Sequence, residues 1–496
     1  MNKALCIVGA LMLPFFMRAG AQEKWAVHEW GTFTSLQDEA GRAIGGINTD
    51  DEPVPEFVHR LNDFALLNPS DVPQSFNKGA PACHPDVTMR LETPVIYFHP
   101  PQSAAKTQTV SVGVKFHGGW LTEFYPDAAI YAPGVKSHTT GFPHLLASSE
   151  SALEWNDLKV GGDWPVTDTT AHVWTSPRAV ESAPVQTTNG ESERFLFYRG
   201  VAHINAPLKV SRDAGSGDLR FQSQLDGLPG DKPLDIHALW LVDIQLGGRI
   251  AFRVLPPLAL DHNPGKYLAS TPADFAPGDY SASNLDKLRA ALLSALVADG
   301  LYDDEARALL NTWEVSYFKS PGLRLFFLVP REWTDFYLPL TISQPADLRR
   351  VMVGRIELVT PQQRQDVLAL SRFSAKQIQQ EAVQFSSSYI GRYLSVATNR
   401  PSEQEMLDLN REMAQVSAGQ KPLASLVSIP KTYQSYLKLG RFRNALVLQE
   451  AKEHPTPGLA DFIATYRLQA YQPVENPAPT PKSGGMDIAM KLQTLW

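Results

Sequence analysis

Three histidines and two glutamates near the start of the chain are the side chains best suited to chemistry. His28, His59 and His99 lie in or beside segments rich in apolar and aromatic residues, and Glu29 and Glu92 lie in similar segments. Imidazole nitrogens and carboxylate oxygens are ligands that zinc and other divalent transition metals prefer. The three histidines, together with Glu92 or Glu29, are therefore candidate ligands of a divalent metal, although their spacing matches no compact chelating motif.

Glu29 and His28 are also candidate catalytic residues. They lie in the segment WAVHEWGTFTS, and the alternation of a β-strand puts Glu29 on a face that is otherwise apolar. A buried carboxylate needs a cation or a hydrogen-bond donor. Possible partners in predicted strands are Arg90, Arg253 and Arg355. Glu29 is thus either half of a structural ion pair or a site carboxylate that serves as metal ligand or general base.

The common catalytic motifs are absent from the sequence. There is no HExxH zinc motif, no GxSxG nucleophile elbow, no phosphate-binding loop and no dinucleotide fingerprint. The run His117-Gly118-Gly119-Trp120 is similar to the oxyanion loop of some esterases. Because no serine elbow accompanies it, we interpret this run as a turn between two strands. The motifs alone indicate no reaction.

The first 21 residues have the layout of a secretory signal peptide. Lys3 precedes an apolar run, and Ala19-Gly20-Ala21 offers small residues at a cleavage site. The run is shorter than the ~20 residues that span a bilayer. We therefore predict cleavage after Ala21, a periplasmic or extracellular location and no transmembrane segment in the mature chain. Cleavage would leave Cys83 as the one remaining cysteine, which excludes an internal disulfide.

Composition indicates a folded protein that does not bind nucleic acid. The 496 residues are 43% hydrophobic, and 45 basic and 52 acidic residues give a net charge of -7 without long charged runs. A nucleic-acid-binding domain normally concentrates basic residues in a patch.

Residues 25–265 show the pattern of a mainly β region. Short segments rich in aromatic and β-branched residues, such as Thr88–His99 and Ile236–Ile244, are separated by Gly, Pro, Asn and Asp. Because no helices are indicated between them, we predict an antiparallel sandwich or distorted barrel with long loops.

The pattern changes after this β region. Residues 270–360 predict an α/β extension, in which two helices, at 284–300 and 303–313, form a hairpin and two strands follow. Residues 361–472 predict a helical region, because Thr360-Pro361 supplies an N-cap and a first-turn proline. A Pro/Gly linker at 473–485 and an apolar C-terminal peptide at 486–496 complete the chain.

Four phrases in this order resemble an uncharacterised family of secreted bacterial proteins. They are VHEWGTFTS near the start, RLETPVIYF at Arg90–Phe98, VPREWTD at Val329–Asp335 and MVGRIEL at Met352–Leu358. The resemblance covers roughly residues 25–360 and implies a shared fold. It implies no activity, because no activity is assigned to that group.

Two functions are compatible with these features. The first is an exported binding or scaffold protein of the bacterial envelope, whose β-region loops recognise a glycan or a protein. The alternative is an envelope hydrolase that cleaves glycan or ester bonds, with or without a divalent metal, and uses Glu29 and a histidine.

Overall fold

The computed structural model describes residues 24–49, 54–62, 76–101, 105–135, 141–166, 172–387 and 430–474, with single positions between 404 and 420 and residues 489–490. The predicted signal peptide and nearly all of the predicted linker lie outside these residues. Among the described residues, no helix is long and apolar enough to cross a membrane.

The predicted fold class is confirmed, because strands dominate the first part of the chain and helices the last. Of the residues that the structure describes, 34% are in strands and 26% in helices. The first eight strands are β1 (Trp25–Gln37), β2 (His59–Arg60), β3 (Phe76–Asn77), β4 (Ala80–Pro81), β5 (Met89–Leu91), β6 (Val95–His99), β7 (Thr107–His117) and β8 (Gly119–Tyr125). The next eight are β9 (Ala129–Tyr131), β10 (Glu150–Gly161), β11 (Val185–Gln186), β12 (Ser192–Glu193), β13 (Leu196–Ala202), β14 (Leu208–Arg212), β15 (Leu219–Ser223) and β16 (Leu234–Ile236). The last eight are β17 (Leu239–Ile244), β18 (Ile250–Val254), β19 (Leu258–Leu260), β20 (Tyr267–Thr271), β21 (Gly322–Leu328), β22 (Leu340–Ile342), β23 (Ala346–Leu358) and β24 (Ala489–Met490).

Nine α-helices that have defined bounds in the described residues follow or interrupt these strands. They are α1 (Asn284–Ala298), α2 (Asp303–Thr312), α3 (Glu314–Phe318), α4 (Arg331–Tyr337), α5 (Pro361–Leu370), α6 (Ala375–Ser387), α7 (Lys431–Lys438), α8 (Arg443–Glu453) and α9 (Pro457–Tyr466). The predicted hairpin is confirmed as α1 and α2. The predicted start at Thr360 is confirmed as well, because the Thr360 hydroxyl accepts a hydrogen bond from the backbone N–H of Gln363.

A large sheet of ten strands organises the molecule. Its order is β18-β17-β21-β23-β1-β5-β13-β8-β2, and β6 pairs with both β1 and β13. The strands β21 and β23, which we expected in a separate α/β extension, are therefore neighbours of β1 in one sheet. Most pairs are antiparallel, but β1 and β23 run parallel along their whole length, from Trp25 beside Ala346 to Gln37 beside Leu358.

A second sheet of seven strands is built around the antiparallel pair β7 and β10, and the remaining strands form three small sheets. The strand β7 ends at His117 and β8 begins at Gly119, so the HGGW run is the turn we predicted. Gly118 between them has a φ of 76°, a conformation that favours glycine. In the C-terminal peptide, β24 pairs with β9, and the other residues of 486–496 lie outside the described residues.

Strand β1 is buried on both faces, so it has two different environments. Val27 and Phe33 belong to one hydrophobic core, whereas Trp30 belongs to the other. The second core also contains Leu292 of α1 and Leu309 of α2. The α1–α2 hairpin therefore packs against the face of β1 that carries the even-numbered residues, among them His28.

Gly354 in the GRIEL phrase is required by close packing. A Cβ atom at this position would lie 2.3 Å from Cζ of Phe327, which is fully buried on the neighbouring strand. We expect Gly354→Ala to lower the free energy of unfolding by about 1–3 kcal/mol, because overpacking forces the backbone or ring to shift. Gly278→Ala is the matched control, since nothing lies within 4 Å of its Cβ position. Equal denaturation midpoints for the two variants would contradict the packing assignment.

Candidate functional site

The pairing of β1 with β6 brings two of the predicted histidines together. His28 lies opposite Tyr97 in this antiparallel pair, and His99 is two residues beyond Tyr97. Residues two apart on a strand share a face, and diagonal neighbours on adjacent strands are within reach of long side chains. The two imidazole rings have centroids 5.1 Å apart.

Glu305 in the first turn of α2 completes this group. His28 Nδ1 lies 2.8 Å from Glu305 Oε2, and His99 Nε2 lies 2.9 Å from Oε1. The backbone N–H of Tyr302, the residue before the helix, also donates to Oε2 at 2.7 Å. The carboxylate of Glu305 thus accepts hydrogen bonds from a helix end and from two strands of the sheet.

The carboxylate is held in its charged form. Burial raises the pKa of the Glu305 carboxyl, but hydrogen bonds from His28 and His99 outweigh this effect and bring the pKa below its ordinary value. The Glu305 side chain is fully buried and that of His28 nearly so, whereas that of His99 is 15% exposed. A ligand would therefore approach from the side of His99.

The aromatic ring of Tyr302 covers the two histidines. Its centroid lies 4.5 Å from that of His28 and 4.9 Å from that of His99, and Tyr302 itself is 48% exposed. This half-exposed ring forms the boundary between the histidine pair and solvent.

The donor atoms of His28, His99 and Glu305 all lie within 4.8 Å of one another. Two imidazoles and one carboxylate suit zinc or ferrous iron, and the same set leaves coordination positions for water or substrate. A divalent ion would replace the protons now shared between the carboxylate and the two rings. Among the described residues, this is the one group of histidines, cysteines and acids with such spacing.

The structure places His59 away from this group. Its Nε2 atom lies 3.1 Å from both carboxylate oxygens of Glu191, and its ring stacks on Phe124. His59 belongs to β2, at the far edge of the large sheet from β1, so strand order separates it from His28. The expectation that His59 joins the metal ligands is corrected accordingly.

Glu92 is also separated from the histidines, because buried cations surround it. Lys78 Nζ lies 2.5 Å from its carboxylate, and Arg90 and Arg441 lie at 3.5 Å and 3.8 Å. Burial raises the pKa of the Glu92 carboxyl, but Arg90 and Lys78 outweigh this effect and lower the pKa strongly. The expectation of a Glu92 metal ligand is therefore corrected as well, and the carboxylate that lies beside His28 and His99 is that of Glu305.

Glu29 lies on the opposite face of β1 from His28, so the two do not form one catalytic site. Its carboxylate is fully buried and lies 2.5 Å from Nε of Arg350 and 2.5 Å from the hydroxyl of Tyr198. Arg350 occupies the position beside Glu29 on the parallel strand β23. Glu29 is thus half of a buried ion pair, the first of the two alternatives.

The three arginines that we considered as partners of Glu29 bind elsewhere. Arg253 donates to the backbone carbonyls of Pro272 and Asp274, and Arg355 donates to Glu357. Arg90 lies beside Glu92. Arg350 is the partner of Glu29 instead, because the parallel pairing of β1 with β23 places residue 350 beside residue 29.

Comparisons with known proteins do not identify the chain. No family model matches it, and no curated protein matches it. Among solved structures it is similar to the Fcho1 Mu homology domain of Danio rerio with bound Eps15 peptide, at 9% identity and a TM-score of 0.25, over 68% of this chain and 99% of that one. A likeness at this score supports no argument about fold or function.

Proposed function

We propose that the protein is an exported metal-dependent hydrolase of the bacterial envelope. The observation that carries this proposal is the convergence of His28, His99 and Glu305 from two strands and a helix onto one small volume. Of the two functions considered from sequence, this arrangement supports the hydrolase.

The ligand set suits hydrolysis. Three protein ligands, two of them histidines and one a glutamate, with one position left for water, are typical of catalytic zinc sites. A zinc ion bound there would lower the pKa of its water to about 7 and so supply a nucleophile at neutral pH. The chain's own contribution is to hold the ligands: the hydrogen bond from the Tyr302 backbone orients Glu305, and the strand register fixes the two rings.

The location and the substrate class belong to the same proposal. The signal-peptide pattern of residues 1–21 supports export, and an exported hydrolase meets the glycans and esters of the envelope. Glu29 has no part in this chemistry, because its carboxylate is committed to Arg350 and Tyr198 on the other face of the sheet.

The hydrolase proposal predicts a zinc-dependent activity on activated probes. We expect the full mature chain to hydrolyse p-nitrophenyl acetate or a p-nitrophenyl glycoside after addition of zinc, and to lose this activity in EDTA. His99→Ala should lower the rate by about 100-fold or more, since a metal ligand is lost. His59→Ala is the matched control and should retain the parent's rate, because His59 binds Glu191. Turnover that is indifferent to EDTA, or equal in both variants, would contradict the proposal.

A further inference from the structure

A second candidate site lies on a different part of the molecule. A groove of about 890 Å³ opens between the β7–β8 turn, the segment before β10, the segments that precede β14 and follow β15, and the end of α4. None of the three metal-ligand candidates lines it. A concavity of this size is large enough for a ligand of several rings.

The charges that line this groove balance. Arg42 and Lys209 contribute two cations, and Glu150 and Asp226 contribute two carboxylates. Nε2 of His117 lies 3.4 Å from a carboxylate oxygen of Glu150, so Glu150 already contacts another side chain of the groove. A groove without an excess of either sign favours a neutral ligand over a nucleic acid or another polyanion.

The remaining lining combines half-buried rings with hydrogen-bonding side chains. Phe336 packs edge-on against His117 with centroids 5.9 Å apart, and the Tyr337 hydroxyl donates to the backbone carbonyl of Asp226 at 3.0 Å. Gln224 adds an amide that both donates and accepts. Rings offer apolar surface, while the amide, carboxylates and imidazole offer donors and acceptors at close range.

We propose that this groove binds a neutral oligosaccharide. A sugar chain presents apolar C–H faces that suit Phe336 and Tyr337, and hydroxyls that both donate and accept, which suits Gln224 and the balanced charges. The site is independent of the metal ligands. In this proposal, the groove is the part of the surface where the loops of the β region carry out their predicted recognition role.

Titration of the full mature chain with neutral tetrasaccharides tests this proposal. The probes are cellotetraose, chitotetraose and maltotetraose, with a heparin tetrasaccharide as the charged comparison. We expect at least one neutral probe to bind by calorimetry, EDTA to leave its affinity unchanged, and the heparin fragment to bind more weakly.

The matched variants are Gln224→Ala and Gln222→Ala. Gln224 lines the groove, whereas Gln222 on the same chain segment donates to the Gly265 carbonyl outside it. We expect Gln224→Ala to weaken binding about tenfold, as for the loss of a side-chain hydrogen bond to ligand, and Gln222→Ala to leave it unchanged. The proposal is overturned if no neutral probe binds, if only the heparin fragment binds, or if both variants bind like the parent.

Discussion

Replacing Glu29 with glutamine is expected to lower the free energy of unfolding by about 3–5 kcal/mol, because the change strands a buried cation. The carboxylate of Glu29 and the guanidinium of Arg350 are both almost completely removed from water. Burial lowers the pKa of Arg350, but Glu29 outweighs this effect and raises it, so the guanidinium stays charged. Glutamine preserves the shape of the side chain but not its charge.

The measurement is a denaturant melt of Glu29→Gln beside the parent, with Glu154→Gln as the control. Glu154 is an exposed glutamate on strand β10, so its substitution should change stability little. Arg350 also contacts Tyr198 and, at 2.8 Å, a carboxylate oxygen of the half-exposed Asp335, and these remaining contacts limit the loss. A double variant, Glu29→Gln with Arg350→Met, should recover part of the stability because it removes the stranded charge. A midpoint equal to that of the parent would contradict the ion-pair assignment.

Local patterns predicted much of the secondary structure. The helix that begins at Asp303 and the cap at Thr360 depend on residues within one turn of chain, so they could be predicted from neighbours in sequence. The alternation of the first strand also assigned Glu29 correctly to an otherwise apolar face, which it shares with Val27 and Phe33.

Strand partners could not be predicted, because periodicity gives the face of a residue but not the strand beside it. Glu29 and Arg350 are separated by 321 positions, and their contact depends on a parallel pairing that the sequence pattern does not indicate. For this reason the sequence predicted an arginine partner for Glu29 but did not identify it as Arg350.

The candidate metal site was likewise predicted only in part from the sequence. His28 and His99 were among the predicted ligands, but Glu305 was missed, although it lies in the predicted helix and its acidic first turn was a visible signal. Glu305 and His28 are 277 positions apart in sequence. They come into contact only because the α1–α2 hairpin packs on the face of β1 that carries the even-numbered residues. His59 and Glu92 are of the same residue types as the three members of this group, but strand order separates His59 from β1, and buried cations such as Lys78 and Arg90 surround Glu92.

Removing any one of the three ligands is expected to weaken zinc binding by about 100-fold or more. His28, His99 and Glu305 come from three elements, so each variant leaves the other two in place. Glu305→Gln is the most informative change, because it keeps the size of the side chain while removing the charge that balances the ion. It also removes hydrogen bonds that tie α2 to the sheet, so the melting temperature of each variant must be recorded beside its affinity.

Calorimetric titration of zinc into the EDTA-treated mature chain tests the central claim most directly. We predict one zinc per chain for the parent and for His59→Ala, and loss of this binding in Glu305→Gln and His99→Ala while both variants remain folded. The same zinc affinity in all four proteins, or no zinc binding by the parent, would contradict a metal site at His28, His99 and Glu305.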